Sequence, residues 1–125
     1  MPHAGMPHAV AHAVGAYGER VAARHLRDAG LQVLERNWRC DQGEIDLVAL
    51  DGSCLVVCEV KTRRSLVYGS PVEAVTARKA ARLRRLAACW LADHELVVDD
   101  VRIDVIGVLR PRRGPAQVDH LVAVG

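Results

Sequence analysis

Residues 43–63 read GEIDLVALDGSCLVVCEVKTR. The stretch reads as two antiparallel strands joined by a tight turn, with Asp51-Gly52, a dipeptide favoured in two-residue hairpin loops, as the turn. With Asp51-Gly52 as the loop, Leu50 would face Ser53, Asp46 would face Val57 and Glu44 would face Glu59. Cross-strand partners share a face. One face would then carry Val48, Leu50 and Leu55 near the turn, and Glu44, Asp46, Glu59 and Lys61 at the open end. The other face would hold Ile45, Leu47, Ala49, Cys54, Val56, Cys58 and Val60, with no charge among them. A strand pair so apolar on its reverse side belongs inside a sheet covered by helices. Three carboxylates and a lysine at the end of such a sheet are costly to desolvate unless paired or metal-bound.

The 125 residues suffice for one domain with a real core and are too few for two. The net charge is only +2, yet seventeen residues are basic and just two of them, Lys61 and Lys79, are lysines. Cys40, Cys54, Cys58 and Cys89 show no CxxC spacing. Cys54 and Cys58 share a face but stand roughly 13 Å apart along a strand, too far for a bridge or a common metal. They read as small buried apolar residues in a reducing compartment. No apolar run approaches the ~20 residues of a membrane span, and no signal-peptide pattern opens the chain. A cytoplasmic protein is the expectation.

Residues 1–13 repeat Met-Pro-His-Ala and predict a disordered leader, with one domain over 14–125. A helix is expected over 14–29, with Val14, Gly18, Val21, Ala22, His25 and Ala29 as its stripe and Gly30 as a left-handed cap. Glu19 lies on the flank of that stripe, where it either reaches water or points along the sheet towards Asp46 and Glu59. A strand over 31–38 precedes the hairpin. Ser70, Pro71 and Glu73 form the pattern of a capping box, opening a second helix that runs to about residue 93. Its inner stripe would be Val72, Val75, Leu83, Leu86, Ala87 and Trp90. Two further strands, over 100–109 and 117–124, complete an α/β layering around a mixed five-stranded sheet. On the first of these Asp104 shares a face with Arg102, and the two read as a structural pair.

Asp46, with Glu59-Val60-Lys61 thirteen residues on, forms a D…ExK arrangement. Carboxylates on neighbouring strands can share a hard cation such as Mg²⁺. A lysine two residues along the same face reaches that cation's water or a phosphate oxygen, where it adds positive charge at a reacting phosphorus. A surface ion-pair ladder along the hairpin is the structural alternative.

GAYGERVAARHL (15–26), RNWRCDQGEIDLVALD (36–51), VVCEVKTR (56–63) and RIDVI (102–106) together resemble the YraN family of small bacterial proteins. That family is predicted to belong to the PD-(D/E)xK, or restriction-endonuclease-like, superfamily, similar in style to archaeal Holliday junction resolvases. The resemblance spans about residues 14–124. It implies an αβββαβ core and Mg²⁺- or Mn²⁺-dependent phosphodiester chemistry on DNA. It implies Asp46 and Glu59 as metal ligands with the main-chain carbonyl of Val60, and Lys61 as the residue that orients or activates water. Glu19 would be the acid supplied by the first helix, and Glu44 a supporting acid behind the ligands. The superfamily's leading proline is absent, since Ile45 precedes Asp46.

Arg63, Arg64, Arg78, Arg82, Arg85 and the turn with Arg110, Arg112 and Arg113 could flank the charged end of the sheet as phosphate contacts. For Arg78, Arg82 and Arg85 a solvated helix face is the competing reading. Lys79 falls inside the inward stripe of the second helix, where it either snorkels to water or reaches the rim of the metal site. With four aromatic residues and no Phe, base stacking on an aromatic platform is excluded as the main binding mode, which favours double-stranded or branched DNA. Resolvase-like chemistry on two strands would imply a homodimer. Two further readings stay open: a DNA-binding module without turnover in a repair, recombination or uptake complex, and a structural domain whose acidic cluster is only an ion-pair ladder.

Overall fold

A computed structural model describes residues 8–64 and 75–124, with side chains from residue 15 onward. In chain order the elements are α1 (His8–Asp28), β1 (Gln32–Cys40), β2 (Gly43–Asp51), β3 (Cys54–Arg63), α2 (Ala77–His94), β4 (Asp100–Leu109) and β5 (Gln117–Leu121). The strands form one sheet in the order β1-β2-β3-β4-β5. Only β3 and β4 run parallel, so the sheet is mixed, as the alternation of elements predicts. Among the described residues no helix is long and apolar enough to cross a membrane.

The two helices cover opposite faces. Ala22, Ala23 and Leu26 of α1 pack on Leu47, Ala49, Val56, Cys58, Ile106 and Val108. Leu83, Leu86, Ala87 and Trp90 of α2 pack on Val48, Leu55, Val57 and Ile103. Burying these side chains on both faces of β3 supplies the main driving force for the fold. The four cysteines are free thiols, in keeping with their spacing, but only Cys58 is buried, while Cys40, Cys54 and Cys89 are half-buried.

Local signals explain the helix ends. Gly30 adopts φ 92°. The N–H of Leu31 bonds the carbonyl of Leu26 and that of Gly30 bonds Arg27, the paired closure of a Schellman motif. The start of α1 differs from expectation, since the helix begins at His8 and not at residue 14. Residues 8–14 carry neither Pro nor Gly, and alanine's helix propensity carries the helix back through them. The cap expected at Ser70, Pro71 and Glu73 lies outside the described residues, as does Val72. In the described chain the N-cap of α2 is Thr76, whose Oγ1 accepts the N–H of Lys79 at 3.1 Å.

The hairpin register is displaced by two residues from the expected one. Asp51 pairs with Cys54, Leu50 with Leu55 and Val48 with Val57. The loop is therefore Gly52-Ser53, and Gly52 takes φ 59° at the first loop position, where glycine is favoured. A slip of two conserves every side-chain face, so the face assignment largely survives although the named partners do not. Glu44 consequently does not face Glu59. It pairs across to Arg39 of β1, at 3.3 Å.

One face assignment fails. Ile45 packs with Trp38, Val48 and Leu83 on the α2 side, not with Leu47 and Ala49. The break falls at Asp46, where pairing of β2 with β3 stops: Leu47↔Cys58 is the final pair. Beyond it β2 pairs with β1, and β3 continues through Arg63 along β4. Freed from the shared ladder, the two strands diverge and the sheet forks.

Candidate active site

The fork creates the cleft. Glu44, Asp46, Glu59, Val60 and Lys61 line it from the sheet, and Lys79, Arg82, Leu83 and Leu86 line it from α2, around a volume of about 310 Å³. The register would next set Asp46 against Glu59. Instead the N–H of Val60 donates to Oδ2 of Asp46 at 2.8 Å. A side chain thus takes over a bond that a strand would normally make, which anchors Asp46 at the apex of the fork.

Glu59 is buried at 9% exposure. Its Oε2 meets two ammonium groups, Nζ of Lys61 at 3.2 Å and Nζ of Lys79 at 2.5 Å. Among the described residues Oε1 of Glu59 and Oδ1 of Asp46 have no hydrogen-bond or ion-pair partner. Burial pushes the Asp46 carboxyl up to about 7, and the charges of Glu59, Glu19 and Glu44 add to the rise. The Val60 hydrogen bond opposes it. The charged form of Asp46 is therefore disfavoured, first by loss of solvent and then by its carboxylate neighbours.

Helix α1 brings in Glu19 through a close contact. Gly18 is buried, and a Cβ placed on it would lie 1.7 Å from Oγ1 of Thr62. Only a glycine lets α1 approach β3 this closely. The next residue, Glu19, is then near enough to raise the Asp46 pKa, although it is not among the residues lining the cleft.

Lys79, whose position in the sequence leaves two readings open, reaches into the site. Arg82 lies over the turn before β2, where a Cβ on Gly43 would come within 2.6 Å of its Nη2. Arg78 and Arg85 are exposed on α2 and do not line the cleft. Arg63 and Arg64 stand at the C-terminal end of β3, beyond Lys61, beside a smaller hollow and a second cavity respectively. Leu83 and Leu86, expected as core, also wall the cleft. The Arg102–Asp104 pair expected on β4 is present at 3.1 Å. Its extension to His120 and His25 is not legible in the sequence, because it depends on which strand β5 pairs with.

Among the described residues no three His, Cys, Asp or Glu side chains gather closely enough to hold a metal ion. That excludes a closed zinc-type cage of side chains there. Two carboxylates are the number of protein ligands that usually hold Mg²⁺, which keeps several waters. The unpartnered oxygens of Asp46 and Glu59 are hard donors of that kind.

A family model described as "Uncharacterised protein family UPF0102" matches residues 18–108. This span contains Glu19, the whole fork and most of β4. The chain belongs to the UPF0102 family. It is 61% identical over 117 residues to a UPF0102 protein of a Nocardioides species, covering 94% of each chain. It is 64% identical over 113 residues to a UPF0102 protein of Beutenbergia cavernae, covering 90% of this chain and 96% of the relative. A Streptomyces coelicolor UPF0102 protein is 57% identical over 110 residues, covering 86% of this chain and 85% of its own. UPF0102 and the YraN family resembled by the four sequence blocks are the same family.

Proposed function

We propose that this UPF0102 protein is a Mg²⁺- or Mn²⁺-dependent endonuclease of restriction-endonuclease-like type that hydrolyses DNA phosphodiester bonds. The observation that carries the reading is the fork: Asp46, Glu59, Lys61 and Lys79 converge on one cleft, and the half-buried Asp46 has its pKa raised to about 7. Burial and like charge of this kind concentrate at functional sites.

Asp46 and Glu59 would hold the cation, with the Val60 carbonyl as a main-chain candidate beside them. When bound, the metal supplies an acidified water and neutralises charge on phosphorus. Asp46 is kept in place by the Val60 N–H, so its free oxygen is preorganised. Lys61 projects from the strand that carries Glu59, and its ammonium orients water or a phosphate oxygen beside that carboxylate. Lys79 and Arg82 enter from the opposite wall, where they bind phosphate oxygens and fix the strand. Leu83 and Leu86 exclude water from the inner side. Glu19 and Glu44 act at one remove, through their charge on Asp46. Cutting both strands of a branched junction would take two such clefts, hence a homodimer.

A second reading, DNA binding without turnover, is favoured by one contact. Oε2 of Glu59 already carries two ammonium partners, which compete with a cation for that oxygen. Cleavage assays on linear, forked and four-way DNAs in Mg²⁺ or Mn²⁺ separate the two. The nuclease reading expects cleavage of at least one substrate, reduced by at least about 100-fold in Glu59→Gln. Binding without cleavage across the panel supports the second reading and overturns the first.

A further inference from the structure

A second cavity, about 260 Å³, lies just past the C-terminal ends of the parallel strands β3 and β4, lined by Arg64, Arg110, Pro111 and Arg112. Parallel pairing creates it. Arg63 lies opposite Leu109, and the N–H of Arg110 continues the ladder to the carbonyl of Arg63 at 2.8 Å. Two parallel strands thus deliver their following residues, Arg64 and Arg110, to the same place. The rigid Pro111 then returns Arg112 to the rim.

Three guanidinium groups close together normally recruit carboxylates. Among the described residues no acidic side chain lines the cavity, and Arg64, Arg110 and Arg112 have no ion-pair partner. Asp119 borders the neighbouring hollow with Arg63. Arg110 is positioned without a counter-charge, its guanidinium 4.7 Å from the Tyr17 ring centroid. Cation–π contact fixes the group while leaving its N–H edge free to bind an anion. Mutual repulsion among the three is relieved by a ligand with several negative oxygens, and planar guanidinium forks match phosphate.

We propose that the Arg64–Arg110–Arg112 cavity is a phosphate-binding subsite that grips the DNA backbone away from the cleft. The choice of DNA as the source of the phosphate rests on the nuclease reading; the anion site itself does not. Five strand residues separate Glu59 from Arg64, roughly 16 Å, or about five base pairs of duplex. The cleft sets Glu44, Asp46 and Glu59 against its cations Lys61, Lys79 and Arg82, and this cavity adds positive charge just beyond the strand ends.

The test measures binding of a fluorescent 30-base-pair duplex by the full chain in EDTA, across a salt series, so that no cleavage enters. Arg64→Gln/Arg112→Gln is compared with wild type and with Arg24→Gln/Arg27→Gln, a charge-matched control at the far end of α1. Arg110 is left intact because of its contact with Tyr17. The expected result, in the cavity variant alone, is affinity about tenfold lower at low salt and a salt slope shallower by about 0.9 for each phosphate no longer neutralised. Equal slopes in both variants would overturn the proposal. Inorganic phosphate, followed by NMR of the Arg Nε–H signals, distinguishes the source. Perturbation by phosphate with no difference in duplex binding would overturn the DNA assignment in favour of a free anion. Absence of nuclease activity in Mg²⁺ bears on the cleft and leaves the salt slope untouched.

Discussion

Asp46 on β2 and Asp104 on β4 flank the same central strand, and both are withdrawn from water. Their surroundings differ completely. Asp104 has no exposed surface, and four donors surround it. Arg102 bonds both of its oxygens, His120 donates to Oδ2 at 2.7 Å, and the N–H of Ala123 reaches Oδ1 at 3.0 Å. His120 in turn meets His25 of α1 at 3.1 Å, and Arg102 reaches Asp51 at 2.8 Å. This network ties α1, β5 and the hairpin turn to β4. Asp46 has a single backbone donor, three carboxylates that raise its pKa, and an open cleft in front of it. A buried charge with every lone pair satisfied holds a fold together; one left short of partners awaits a ligand.

The largest expected effect comes from breaking the satisfied aspartate. Asp104→Ala strands Arg102 and His120 without their counter-charge and should cost about 3–5 kcal/mol, lowering Tm by more than ~10 °C. Thermal unfolding measures it, and a decrease below about 2 °C would erase the contrast between the two aspartates.

Asp46→Asn should act in the opposite direction. In metal-free buffer at pH 8 it removes a carboxylate that burial and its neighbours disfavour, so Tm should rise by about 3–6 °C, near 1 kcal/mol. The sign follows from proton uptake. The folded state, with its Asp46 pKa near 7, binds more protons than the unfolded chain, whose value is 3.8. The Asp46 contribution to stability is therefore fully present below about pH 4 and declines as pH rises to 7. The Asn variant's advantage should thus grow from pH 5 to pH 8 in EDTA. An advantage that is constant with pH would show that Asp46 is not the titrating group.

The smallest effect sharpens the contrast at Glu59. Lys79→Met keeps the buried stem and removes one of two ammoniums competing with a cation for Oε2. Mn²⁺ affinity should rise about fivefold, ~1 kcal/mol, with Tm changed by no more than ~2 °C. An unchanged Mn²⁺ affinity would mean that the Lys79–Glu59 contact does not oppose metal binding.

Much of this contrast is legible before folding, and the limits are physical. Strand alternation places Asp46, Glu59 and Lys61 together because a hairpin's faces depend only on parity. Register depends on which two residues make the turn, and Asp51-Gly52 and Gly52-Ser53 are both competent, so the named partners slip by two. Ile45 escapes its parity because β2 has left β3 there, a consequence of the fork and not of local pattern. Helix period puts Lys79 on the inner stripe, yet only the packing of α2 against β3 brings it to Glu59. The Asp104–His120–His25 network joins residues 104, 120 and 25, and no local signal announces contacts of that range. Gly18 is similar: its spacing fits the stripe, but the reason for glycine is Thr62, on a different element.

The under-partnered carboxylates at the fork, on this view, hold a divalent cation. The most direct test is a Mn²⁺ titration of the full chain, followed by electron paramagnetic resonance, comparing wild type with Asp46→Asn, Glu59→Gln and Asp104→Asn. The expected result is saturable binding to wild type, abolished in Asp46→Asn and Glu59→Gln and retained in whatever fraction of Asp104→Asn remains folded. No saturable binding to wild type, or binding that survives both cleft substitutions, would contradict it.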